Sequence, residues 1–212
     1  MTEAEKLITF NLKHSKVYPT ITRICTTADV VAEWCIKEPL VIYRKNTPSY
    51  HYMMFDRHSD SYDMARKILV WMKRLKLKKG QKPKLYICGP RGYRIERQKG
   101  NPVKIGTFFY RVFEELLRFR QDFSVVSCGQ TGIPLIAMAA ATAIGLPVEV
   151  YMTHKLTRRD KRLITNTPKE QFFSEIEELR IKIKENIKEN IIEYIRKDSG
   201  KTSNEGRCSL YN

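Results

Sequence analysis

Residues 123–152 read FSVVSCGQTGIPLIAMAAATAIGLPVEVYM, and this stretch decides the fold. Its first five residues are apolar or small, with two valines, the pattern of a short buried strand. The run breaks at Cys128-Gly129-Gln130-Thr131-Gly132, where two glycines admit backbone angles that other residues resist. Pro134 stands where a helix start accepts proline, because its fixed φ suits the first turn and no needed donor is lost. Residues 135–144 then form a compact alanine-rich helix, and Gly145 is a natural stop for it. Residues 147–152 resume as a second buried strand. Strand, glycine turn, helix and strand make a βαβ unit. Its turn directs backbone N–H groups and the positive end of a helix dipole outward, which suits a phosphate. Ser127, Gly129, Gln130, Thr131 and Gly132 are therefore candidate ligand-binding residues. The plain alternative is a tight turn that binds nothing.

A second element of the same kind lies upstream. Residues 84–88, KLYIC, are another short apolar strand, followed directly by Gly89-Pro90-Arg91-Gly92. If the two strands are parallel neighbours, both glycine turns lie side by side at the carboxyl edge of the sheet, where open α/β sheets bind ligands. Gly89, Arg91 and Gly92 thus join the candidate site. A branched side chain at Gly129 or Gly132 is expected to block the approach of a phosphate with limited loss of fold.

The order LYICGPRG, helix, VVSCGQTGIPLIAMAAATAIGLPVEVY resembles the SLOG superfamily of Rossmann-like nucleotide-binding domains. That group includes the DNA-processing protein A fold and the lonely-guy proteins; the YspA-like branch is the nearest pattern. Gly89, Arg91, Gly129, Gly132, Ala139, Ala140, Gly145, Pro147, Val148 and Val150 fall on it, across residues 84–153. The resemblance implies nucleotide or phosphate binding. It implies no reaction: the branch carries Asp where this chain has Ile133, and the lonely-guy Pro-Gly-Gly-x-Gly-Thr-x-x-Glu motif is missing.

At 212 residues, 42% hydrophobic and 29% charged, the chain has the composition of a globular protein with a substantial core. No apolar run reaches the ~18 residues of a membrane span, and residues 1–16 do not read as a secretory signal. Five cysteines with irregular spacing and no CxxC pair argue against a disulfide framework or a zinc site, so a reducing cytoplasm is expected. The net charge is +16 and is concentrated: residues 66–120 hold seventeen Lys and Arg against three carboxylates. A nucleotide or nucleic-acid partner is expected, with Lys76, Lys78, Lys79, Arg94, Arg97, Arg158 and Arg159 as candidate phosphate contacts.

The expected architecture is α/β: a small Rossmann-like parallel sheet, an N-terminal helix and hairpin extension, and a long C-terminal helix. The expected boundaries are 1–83 for the extension, 84–167 for the nucleotide-binding core, 168–198 for the helix and 199–212 for a disordered tail. Residues 1–38 read as mainly helical, with Asp29 near a cap and Val30, Val31, Trp34 and Cys35 as a stripe. Residues 40–43 and 50–55 read as a hairpin, whose Tyr50, His51 and Tyr52 are candidates to stack on bases. Residues 60–77 are a strongly amphipathic helix, 94–107 a polar loop, 108–119 a helix, and 154–167 a basic turn-like segment. In the last helix Phe172, Ile176, Leu179, Ile183, Ile187, Ile191 and Ile195 make one stripe, suited to packing at home or to a homodimer.

No catalytic constellation stands out. His14, His51, His58 and His154 do not fall in metal-ligand spacings, and Gly200-Lys201-Thr202 lacks the strand and loop of a phosphate-binding lysine motif. Catalytic residues remain unassigned, no cofactor is identified beyond a nucleotide ligand, and no metal is expected. The leading function is phosphate binding at the glycine turns. A nucleotide-processing enzyme, phosphoribohydrolase-like or nucleoside-transferring, is the alternative, and a protein-interaction module is a third.

Overall fold

The computed structural model describes residues 2–13, 29–35, 51–56, 60–119, 122–153, 157–160 and 163–205. In chain order the elements are α1 (Glu3–Leu7), β1 (Ile8–Lys13), β2 (Val30–Cys35), β3 (His51–Asp56), α2 (Ser61–Arg74), β4 (Lys84–Cys88), α3 (Gly92–Arg97), α4 (Pro102–Phe119), β5 (Ser124–Ser127), α5 (Ile133–Ala143), β6 (Val148–Thr153), β7 (Thr157–Asp160), β8 (Leu163–Asn166) and α6 (Lys169–Glu205).

Six strands form one sheet in the order β1-β6-β5-β4-β2-β3, and every neighbouring pair is parallel. This is a Rossmann-like α/β fold. The chain runs outward from β2 to β3, returns past β2 to β4, then continues through β5 and β6. The direction of travel therefore reverses between β2 and β4, and ligands of open α/β sheets sit outside the carboxyl ends at such a reversal.

The central strands are buried on both faces, which explains their near-continuous apolar sequences. On one face Val30, Ala32, Trp34, Leu85, Ile87, Val125, Val148 and Val150 meet the buried sides of α2, α4, α5 and α6 in a single core. On the other, Val31, Tyr86, Cys88 and Val126 form a smaller cluster. In α5 every residue except Leu135 is buried. A helix apolar all round has to be enclosed, and α4 and α6 pack on it. Gly106 lets α4 and α6 close together: a Cβ there would fall 2.3 Å from Ile183 Cδ1.

Several expectations change. Residues 30–35 are a strand rather than a helix, and β1 is another, so the N-terminal segment is part of the main sheet instead of an extension. Asp29 does not cap a helix; its Oδ2 accepts from the Lys84 backbone N–H at 3.2 Å, where β4 begins. The second arm of the expected hairpin lies in β3, which pairs parallel with β2; its first arm and its turn lie outside the described residues. The expected loop over 94–107 is mostly helical, because Asn101 Oδ1 accepts from Val103 and Lys104 N–H (2.9 and 3.2 Å) and Pro102 opens α4. The basic segment 154–167 contains the antiparallel pair β7–β8. Helix α6 runs on to Glu205, into the segment expected to be a tail.

Candidate functional site

β4 and β5 are parallel neighbours, with Leu85 opposite Val125 and Tyr86 opposite Val126. Their carboxyl ends deliver both glycine turns to the same edge of the sheet, and the turns touch. The Ile133 N–H donates to Pro90 O at 2.9 Å. Gly132 has φ +82°, and a Cβ on it would fall 2.3 Å from Pro90 O and 2.4 Å from the Arg91 carbonyl carbon. At Gly89 a Cβ would meet Trp34 O at 2.8 Å and the Ile133 side chain at 2.9 Å.

These distances correct one expectation. The close approach that Gly132 allows is to the backbone of the other turn, so a valine there disrupts the junction itself and not merely a ligand. Gly129 has φ +68° and is buried, and its N–H donates to Ser127 Oγ at 3.2 Å. The Ser127 hydroxyl in turn lies 3.4 Å from Pro134 O, inside the protein. Ser127 thus holds the turn in shape, its side chain buried inside the protein.

The junction still carries unmatched polar groups. Thr131 Oγ1 is buried with no hydrogen-bond partner. A buried donor or acceptor left unmatched costs about 1–3 kcal/mol, so this atom is held at the junction at a cost in stability. It lies 3.6 Å from where a Gly92 Cβ would stand, against the first turn of α3. None of the backbone hydrogen bonds at the junction is donated by Thr131 or Gly132. Arg91 and Gly92 are half-buried beside them. Tyr93 follows, half-buried, with the Arg94 guanidinium 5.9 Å from its ring centre and the Arg94 Nε donating to its hydroxyl at 3.3 Å.

Cys128 opens the second turn. Burial pushes its thiol up, against the Gln130 N–H, the Tyr86 hydroxyl and the Arg91 charge, which pull it down. The net rise keeps it a thiol at neutral pH, in line with a packing role rather than a nucleophile.

One acid near the turns escaped the reading of the sequence. Glu33 pairs in register with Cys88, the residue before Gly89, and lies on the face of β2 that carries Val31. It is half-buried at the β2/β4 reversal, and burial raises its pKa above the ordinary carboxylate value. Its signal in the sequence was a lone carboxylate inside an apolar run. By contrast, Glu149 sits at the opposite end of the sheet. Its Oε2 accepts from Lys84 Nζ (2.7 Å) and Tyr151 OH (2.9 Å), and its Oε1 accepts from Ser124 Oγ (3.1 Å).

The candidate phosphate contacts separate into two groups. Arg91, Arg94 and Arg97 lie at or just beyond the carboxyl end of β4, whereas Lys76, Lys78 and Lys79 precede its amino end. Gln130 is half-buried in the second turn. Arg158 and Arg159 lie on β7, and their side chains, like those of His51 and Tyr52, fall outside the described residues. Among the described residues no cluster of His, Cys, Asp or Glu suits a metal ion, and no helix is long and apolar enough to cross a membrane.

Compared with known proteins, the chain matches no family model, no curated protein and no solved structure.

Proposed function

We propose that the chain binds a nucleotide, or a nucleotide unit within a nucleic acid, at the junction of its two glycine turns, in the manner of a SLOG-type domain. The observation that carries the reading is the buried, unpartnered Thr131 Oγ1 at the carboxyl edge of a parallel sheet. A phosphate oxygen at that point would accept from the hydroxyl and from nearby backbone N–H groups, and the Arg91 charge stands close by. Tyr93 and Arg94 offer a flat surface for a base.

The test is isothermal titration with adenine and guanine mononucleotides, on the wild type and on Thr131→Val, which keeps the shape and removes the hydroxyl. The expected result is nucleotide binding that weakens by about tenfold in the variant, the worth of ~1.4 kcal/mol, with an unchanged circular dichroism spectrum. Binding that the variant leaves intact, or no binding by the wild type, overturns the reading.

Glu33 supports a second reading, a nucleotide-processing enzyme. A carboxyl that holds its proton to higher pH is suited to general-acid work. In cleavage of an N-glycosidic bond, Glu33 would protonate the departing base as the C1′–N bond breaks. Water would add its oxygen to C1′ and return a proton to Glu33. Free base released by the wild type and not by Glu33→Gln, with nucleotide binding retained, would select this reading over simple binding.

A further inference from the structure

The opposite edge of the sheet carries a site of its own. A cleft of about 700 Å³ opens at the amino ends of β4, β5 and β6 and against β1, and no residue of either glycine turn lines it. It is lined by Glu149 with Lys84 and Ser124, and Tyr151, which does not itself line the cleft, donates its hydroxyl to the same carboxylate. Lys84 and Glu149 are ion-paired at 2.7 Å with side chains 30% and 23% exposed, so the pair faces the opening instead of being sealed beneath it. Burial by itself would raise the Glu149 pKa; hydrogen bonds from Lys84 and Tyr151, the Lys84 charge and the Ser124 hydroxyl override it and hold the carboxyl below its ordinary range. Both members of the Lys84–Glu149 pair are therefore charged at neutral pH.

A network that merely satisfied polar side chains on a sheet face would draw in its polar neighbours. Here it does not. Thr9 and Asn11 pair in register with Glu149 and Tyr151, share their face and line the cleft, yet none of the network's hydrogen bonds reaches either side chain. Lys82, exposed at the rim, forms none of the ion pairs among the described residues. The cleft thus presents a neutral hydroxyl and amide on one side, the Asp29 carboxylate, tied through Oδ2 to the Lys84 backbone N–H, and the Lys82 ammonium, and its volume lies within the range of small-ligand pockets.

We propose that this cleft is a second ligand site, for a phosphorylated ribose. Hydroxyls of the sugar, each both donor and acceptor, match Thr9, Asn11 and the Glu149 carboxylate edge. The phosphate takes Lys82. The shared chemistry has two sources, a free pentose phosphate or a nucleotide, and the titration separates them.

The experiment is heteronuclear NMR titration of the full chain with ribose 5-phosphate, AMP, ribose and inorganic phosphate, repeated on Asn11→Ala, Lys82→Ala and Thr131→Val. The expected result is shifts at the cleft with ribose 5-phosphate, AMP or both, about tenfold weaker with ribose or phosphate alone. Asn11→Ala and Lys82→Ala should each weaken binding roughly three- to tenfold, and Thr131→Val should leave it unchanged. Both alanine changes lie outside the internal network, so the fold should persist. Three outcomes overturn the proposal: no cleft shifts with either ribose phosphate up to ~10 mM, equal binding of inorganic phosphate, or binding indifferent to Asn11 and Lys82. Nucleotide binding lost in Thr131→Val but kept in the two alanine variants belongs to the glycine turns, and the cleft is then judged on ribose 5-phosphate alone. Failure at the cleft with Thr131-dependent binding intact leaves the proposed function standing.

Discussion

At the scale of single residues, the carboxyl edge holds two groups whose positions cost stability: the unmatched Thr131 hydroxyl and the half-buried Glu33 carboxylate. Groups of this kind persist where function requires them. Glu33 also ties stability to pH. Its folded-state pKa lies above the unfolded value of 4.5, so the folded state binds more protons between the two, and stability falls as pH rises through that window. Glu33→Gln removes the penalty. Equilibrium denaturation should find the variant more stable than wild type at pH 7, by about 0.5–1 kcal/mol once solvent screening of a half-exposed group is allowed for. The gain should vanish near pH 3, where the carboxyl is protonated in both states. A variant less stable at pH 7 would mean that the carboxylate is held by a favourable interaction. At this scale the glycines were legible in the sequence but their purpose was not. Gly132 reads as room for a phosphate until its distance to Pro90 O shows that the room is filled by the neighbouring turn.

At the scale of elements, residues 84–153 were legible because buried parallel strands are written as short apolar runs and glycine turns punctuate them. The run VVAEWC was misread because apolar residues at positions 30, 31, 34 and 35 satisfy helical spacing as well as an uninterrupted strand. At six residues it is too short to be told apart by periodicity, and length would have favoured a strand. The register of β2 beside β4 then brings Glu33 to the site, a placement that rests on long-range pairing and leaves no local trace. Helix α6 shows the reverse case, one stripe with two environments. Phe172, Ile176, Ile183 and Ile187 are buried in the core, and Asn186, which interrupts the stripe, accepts from Thr107 Oγ1 on α4 at 2.9 Å. Ile191, Ile192 and Ile195 are 46%, 49% and 58% exposed. A homodimer through this stripe therefore has its distal half available. Sedimentation equilibrium should find a dimer for the wild type and a monomer for the double variant Ile191→Lys, Ile195→Lys, with the same thermal midpoint. A monomeric wild type at ~100 μM, or a variant that still dimerises, would rule that surface out.

At the scale of the whole molecule, composition and charge foretold a basic globular protein, but sequence could not divide the charge in space. Lys76, Lys78 and Lys79 stand before β4, and Arg94 and Arg97 stand after it, so residues that flank one glycine turn in sequence lie at opposite ends of a five-residue strand. At ~3.3 Å per residue that strand separates them by roughly 15 Å, beyond the Debye length at physiological salt. The two groups therefore act on a polyanion as separate patches. If nucleic acid is held at the glycine turns, Arg94→Ala with Arg97→Ala should reduce the slope of log K against log salt by up to ~0.9 for each phosphate no longer neutralised on duplex DNA, and by less on single strands. Neutralising Lys76, Lys78 and Lys79 should leave that slope nearly unchanged. Both variants should keep the fold, since exposed charges contribute about 1 kcal/mol or less each. Fluorescence anisotropy across ~50–200 mM salt reads the outcome. A slope carried by the lysines would put the polymer at the amino edge, beside the cleft under Lys82, and leave the glycine turns to a small nucleotide. No binding at ~50 mM salt would remove the nucleic-acid reading altogether.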